Sequence, residues 1–124
     1  MKSVTYLLGI LLFCFGLTMN SCQKEDSCDA TWDTNVEPII ASSCSYSGCH
    51  SGDTTASTFL SLGSKDYTNY AGIKASLDNG AFKQRVLISK DMPSVYAPQS
   101  RPQTLTNEQL DILQCWVDAG FPEN

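Results

Sequence analysis

Apolar positions change their pattern twice along the chain. From Val4 to Leu17 they form a run of about 14 residues with no charge in it. That is shorter than the roughly 20 residues a helix needs to cross a bilayer. From Trp32 the pattern turns periodic: Trp32, Val36, Ile39 and Ile40 stand at i, i+4, i+7 and i+8, one face of a helix. Pro38 inside that pattern either kinks the helix or marks its first turn. A second helix is expected over Asp66–Leu77, with Tyr67, Tyr70, Ile73 and Leu77 on one side. Asp66 is its expected N-cap and Asn79-Gly80 its stop. "AFKQRVLIS" (81–89) reads as one or two further helical turns.

Residues 51–64 are small and polar and read as a loop, with Phe59, Leu60 and Leu62 turned inward. Residues 89–104 hold three of the five prolines and no period, so they read as an extended loop. The last helix carries the strongest signals. Thr106 and Gln109 fit a capping box, Leu105 and Leu110 a hydrophobic staple, and Gly120 a stop. Leu110, Leu113, Trp116 and Val117 form its buried stripe. No alternating run is long enough for a sheet. The expected fold class is therefore all-α with long loops.

Charge and composition add the cellular setting. Lys2 precedes the apolar run, and Ser21-Cys22 follows it just before the polar "QKEDS". This resembles a bacterial lipoprotein signal, with residues 1–21 removed and Cys22 lipidated. Met19 and Asn20 depart from the usual leucine and small residue of that signal. The charged stretch after Cys22 also resembles the export signal of some surface-exposed lipoproteins. On this reading 22–29 is a tether and 30–124 a single domain, membrane-anchored in the bacterial envelope on the periplasmic or outer side. Acyl chains contribute about 0.8 kcal/mol per buried CH₂, enough to hold a soluble domain at a membrane. Signal removal takes one lysine and no acid, moving the net charge from −5 to about −6. Such a balance disfavours nucleic acid and anionic lipid surfaces.

Six cysteines then need assignment. Cys14 leaves with the signal and Cys22 takes the lipid. Cys28 and Cys115, near the two ends of the domain, read either as a disulfide or as two buried thiols. In an oxidising envelope the disulfide is expected, and closing so long a loop is worth about 4 kcal/mol.

The remaining pair lies in "CSYSGCH", residues 44–50, which holds the only histidine. Four readings apply. A structural zinc site wants four ligands, and only Cys44, Cys49 and His50 are offered here. A nucleophilic Cys-His pair needs two neighbours in sequence to face each other. A small Cys44–Cys49 disulfide would leave His50 a bystander. Covalent haem attachment uses two thiols followed at once by a histidine, normally as C-x-x-C-H. Here the spacer has four residues, so two must loop out, and the small or flexible Ser45, Ser47 and Gly48 suit that. An electron-carrying haem iron also wants a second axial ligand. Met92, in Met92-Pro93, is the only methionine left after signal removal, with a loop core residue as its plainer reading.

Taken together, "WDTNVEPIIASSC", Cys44/Cys49/His50, "MP" at 92–93 and "LDILQCWVDAGFP" resemble a small class I c-type cytochrome over roughly residues 30–122. The resemblance implies a cytochrome c-like fold whose first and last helices cross. It also implies one haem c held by Cys44 and Cys49, with His50 and Met92 as axial ligands. Phe59, Leu62, Tyr70, Ile73, Val86 and Leu87 would wall the pocket, and Arg85 or Arg101 would pair with a propionate. The implied role is an electron carrier, not an enzyme, serving a redox partner protein. A haem-free disulfide-stabilised binding lipoprotein, and a haem enzyme or sensor with an open iron position, are the alternatives.

Overall fold

The computed structural model describes residues 28–52 and 65–124. The expected signal segment, Cys14, Cys22 and Phe59, Leu60 and Leu62 of the expected loop lie outside the described residues. Among the described residues the regular elements are helices and no strand occurs, which agrees with the all-α expectation.

The first helix, α1, opens as a wide π-helical stretch, Trp32–Val36, and continues as an α-helix, Glu37–Ser43. Pro38 stands in the first turn of the α-helical part, so the first-turn reading holds. A proline has no N–H to give, and its ring crowds the carbonyl four residues back. The wide turn before it, where the Glu37 N–H reaches the Trp32 carbonyl, relieves that crowding. Nothing on Thr31 caps α1. Its first N–H groups find the C-terminal tail instead: Trp32 donates to the Pro122 carbonyl at 3.0 Å and Asp33 to Glu123 at 3.2 Å.

Helix α2 spans Tyr70–Asp78 and starts later than expected. Asn69, not Asp66, is its cap, accepting the Gly72 N–H at 2.9 Å. Asp66 is occupied one turn earlier, where its carboxylate takes the Thr68 N–H at 2.8 Å and the Thr68 hydroxyl at 2.6 Å. That local turn holds 66–69 out of the helix. Tyr67 therefore belongs to an extended strap in front of α2 rather than to its apolar stripe. The third helix, α3, is the π-helical stretch Lys83–Ile88, which continues a helical start at Ala81.

The fourth helix, α4, spans Asn107–Asp118 with both halves of the capping box formed by Thr106 and Gln109. Its C-terminal end is closed by Gly120 at φ +83°, after which the Phe121 N–H returns to the Trp116 carbonyl at 2.8 Å. Helix α4 packs against the start of α1 and against α3. The join is centred on Trp116, fully buried, whose ring meets Trp32, Phe82 and Phe121 at centroid distances of 6.1, 6.3 and 6.2 Å. Its indole N–H donates to the Pro122 carbonyl at 2.8 Å, so the tail that caps α1 is also held by α4. Val36, Ile40, Ile73 and Leu113 complete the most deeply buried part of the core. A disulfide joins Cys28 to Cys115, with 5.5 Å between their Cα atoms, and ties the segment before α1 to α4. The first and last helices are thus packed together, as expected.

Candidate functional site

The loop Cys44–His50 follows α1 directly. Cys44 closes the helix, with its N–H on the Ile40 carbonyl at 2.8 Å. A tight turn then runs from Tyr46 to Cys49, closed by the Cys49 N–H on the Tyr46 carbonyl at 2.9 Å. Gly48 supplies the φ of +85° that this turn needs, a left-handed angle that costs a side-chain-bearing residue energy. The His50 N–H then returns to the Cys44 carbonyl at 3.1 Å. Two residues more than the common spacing are absorbed, and the ends of the loop are still pinned together.

The spacer does not simply bulge outward. Ser47 is exposed, but Tyr46 is buried beside the loop. Its hydroxyl bonds with Cys49, and the Arg101 guanidinium lies 4.8 Å from its ring centre. Burial first, then the contact with Cys49 and the nearby thiols, push the Tyr46 phenol up to about 12, against the pull of Arg101. Of the residues named as suited to looping out, Ser47 is exposed while Ser45 and Gly48 are half-buried. An aromatic ring here gains more from burial than from water.

Cys44 and Cys49 carry free thiols, so the small disulfide reading is not what the structure contains. Cys44 is buried against the core, and burial followed by the neighbouring Cys49 pushes its thiol up to about 12. A thiol held protonated in this way is a poor nucleophile. Among the described residues no group of three or more His, Cys, Asp or Glu side chains converges on one point. Cys44, Cys49 and His50 therefore do not assemble as a zinc-type cluster.

His50 is placed by a second segment. Its Nδ1 lies 3.2 Å from the Lys65 carbonyl, and a carbonyl only accepts, so Nδ1 carries the proton. Burial lowers the pKa of the imidazole, partly offset by that bond, and favours the neutral ring. A neutral ring protonated at Nδ1 has its lone pair on Nε2. Metal-bound histidines are held this way, the distal nitrogen free and the other tied to a carbonyl or carboxylate. Tyr67 adds a backbone bond, its N–H on the His50 carbonyl at 2.8 Å, and a stacked ring. The chain beyond His50 runs close to this strap: a Cβ on Gly52, itself at φ +71°, would stand 2.9 Å from the Asp66 carboxyl carbon.

Met92 is half-buried against the core, in the long loop before α4. It lines a cavity of about 240 Å³ with Val86, Lys90, Thr104, Leu105, Asn107 and Leu110. Cys44, Cys49 and His50 are not among the lining residues of that cavity. Of the other expected wall residues, Val86 reaches it, while Ile73 and Leu87 are core residues. Tyr70 is turned to the C-terminal tail, its hydroxyl on the Phe121 carbonyl at 2.9 Å and its ring 6.0 Å from Trp32. Arg85 is exposed and paired through Nε with both Asp91 oxygens at 2.7 and 2.8 Å.

The donor types are those that covalent haem uses: two unbridged thiols directly before a histidine whose Nε2 has no hydrogen bond among the described residues, and a methionine lining a cavity that the other three do not line. Sequence reasoning did not find Lys65, Tyr67 in its strap position, or Tyr46 as a buried group. The aromatic character of both tyrosines was the available signal. Scanned against protein-family models, curated proteins and solved structures, the chain matches none.

Proposed function

We propose that this chain is a membrane-tethered monohaem c-type cytochrome that passes single electrons to and from a partner protein. The observation that carries the reading is His50: Nδ1 tied to the Lys65 carbonyl and Nε2 unbonded among the described residues, with two unbridged thiols standing just before it in the chain. Cys44 and Cys49 would each add an S–H across a haem vinyl group. Because Cys44 is buried, that addition would have to come before the core closes around it. Haem, when bound, supplies one-electron cycling between ferric and ferrous iron. His50 and the Met92 thioether would be the protein ligands to the iron, a pair that favours the ferrous state.

Of the two arginines, Arg101 stands beside the attachment loop through Tyr46 and is the better placed partner for a propionate. Arg85 already has Asp91. Lipid on Cys22 would hold the domain at an envelope membrane, and because Cys28 is bonded to Cys115 the tether would end before it, not at 29. No nucleic acid partner is proposed. A second reading, a haem-free binding module, is favoured by one observation: Cys44 packs into the core with only 8 % of its surface exposed.

The experiment is the visible spectrum of the chain made in cells that possess haem-attachment machinery. The cytochrome reading expects sharp low-spin bands that intensify on reduction. Colourless, folded protein would favour the binding module.

A further inference from the structure

We propose that Tyr67 is the positioning residue for His50, fixing the plane of the imidazole about the axis through Nε2; this rests on the haem reading above. The two rings are stacked, with centroids 4.2 Å apart and planes 15° from parallel. The bond from Nδ1 to Lys65 pins one corner of the imidazole, and it leaves the ring free to rock about that corner. A parallel ring against its face removes that freedom on one side.

Tyr67 is able to do this because it is itself held at both ends. Its phenol is buried and donates to the Ser76 hydroxyl at 2.7 Å, and Ser76 is fully buried on α2. Its backbone N–H is on the His50 carbonyl. Orientation thus passes from α2 through Ser76 and Tyr67 to the imidazole. Outer partners of this kind set the direction and electronics of a ligand. For a ferric iron the azimuth of an axial imidazole sets how the two d orbitals above and below the haem plane split. The ring plane is therefore readable in a spectrum.

The test compares wild type, Tyr67→Leu and Tyr67→Phe by low-temperature electron paramagnetic resonance of the ferric protein, with haem content checked by mass. Tyr67→Leu removes the stacked face and is expected to shift the principal g values. Tyr67→Phe keeps that face but loses the bond to Ser76, and is expected to give g values nearer wild type than those of Tyr67→Leu. Should Tyr67→Leu not fold, Tyr67→Met offers a flexible unbranched side chain that adapts to the gap without a flat face, and is read in the same way. Unchanged g values in a haem-loaded Leu or Met variant, even with a lowered melting temperature, would overturn the proposal and leave the haem reading intact. Wild type without attached haem would overturn the haem reading, and this one with it, before any variant is read.

Discussion

Replacing Cys28 and Cys115 together by serine isolates what the disulfide does. The bond joins residues 87 positions apart, and the chain-entropy relation gives about 4.5 kcal/mol for a loop of that length. A domain of this size has a total stability of about 5–15 kcal/mol, so about a third or more of it is at stake. The contacts around the bond do not depend on it. Trp32 and Trp116 face each other, and Pro122 accepts from both the Trp32 backbone and the Trp116 indole. The folded state of the double variant should therefore keep its packing, and the loss should come from a freer unfolded chain. Urea titration followed by fluorescence reads this directly, since both tryptophans are buried and report the same junction. The expected result is a midpoint lowered by an amount equivalent to about 4.5 kcal/mol, with a slope no smaller than wild type. Wild type treated with a phosphine reductant should match the variant. A loss under about 1 kcal/mol would refute the reasoning, because it would mean that the unfolded chain gains little from release.

Four further outcomes follow from single sites. Gly72→Ala should cost about 2 kcal/mol by thermal melting, because a Cβ there would overlap the Asp66 backbone carbonyl; an unchanged melting temperature would contradict that close approach. Thr106→Ala should cost about 1 kcal/mol through the lost capping box of α4, and Thr106→Ser should recover most of it. Asp66 is lowered below its usual pKa by bonds from the Thr68 hydroxyl and N–H, so its contribution is present above about pH 4 and fades as pH falls through the lowered folded value. Asp66→Asn should accordingly flatten the acid limb of a stability–pH curve, and an unaltered limb would count against the bond network. Met92→Ala should convert a low-spin spectrum to one with high-spin features, whereas an unchanged spectrum would remove Met92 as a ligand.

Legibility differed sharply between elements. Helix α4 was the most readable, since its capping box, its glycine stop and the buried Leu113 and Trp116 are all written within about fifteen consecutive residues, while Leu110 and Val117 of the expected stripe are only half-buried. The Cys28–Cys115 pairing was reachable by assigning every other cysteine first. The start of α2 was not readable, because Asp66 and Asn69 are both good caps and the choice depends on Asp66 turning to Thr68. The capping of α1 by Pro122 and Glu123 left no mark at all, as it uses backbone carbonyls from the far end of the chain. At the site, residue types identified Cys44, Cys49 and His50, and their neighbours came only with the fold. Lys65 contributes a carbonyl that any residue would offer. Tyr67 carries the apolar signature of a helix stripe yet stands one turn before the helix, against His50.

The central claim is that Cys44 and Cys49 hold a haem covalently. The most direct measurement is the intact mass of the chain, purified from cells with haem-attachment machinery and unfolded in acid before analysis. The expected mass is that of the polypeptide plus one haem, retained under unfolding, and lost in Cys44→Ser/Cys49→Ser. The bare polypeptide mass, with both thiols open to alkylation, would contradict it.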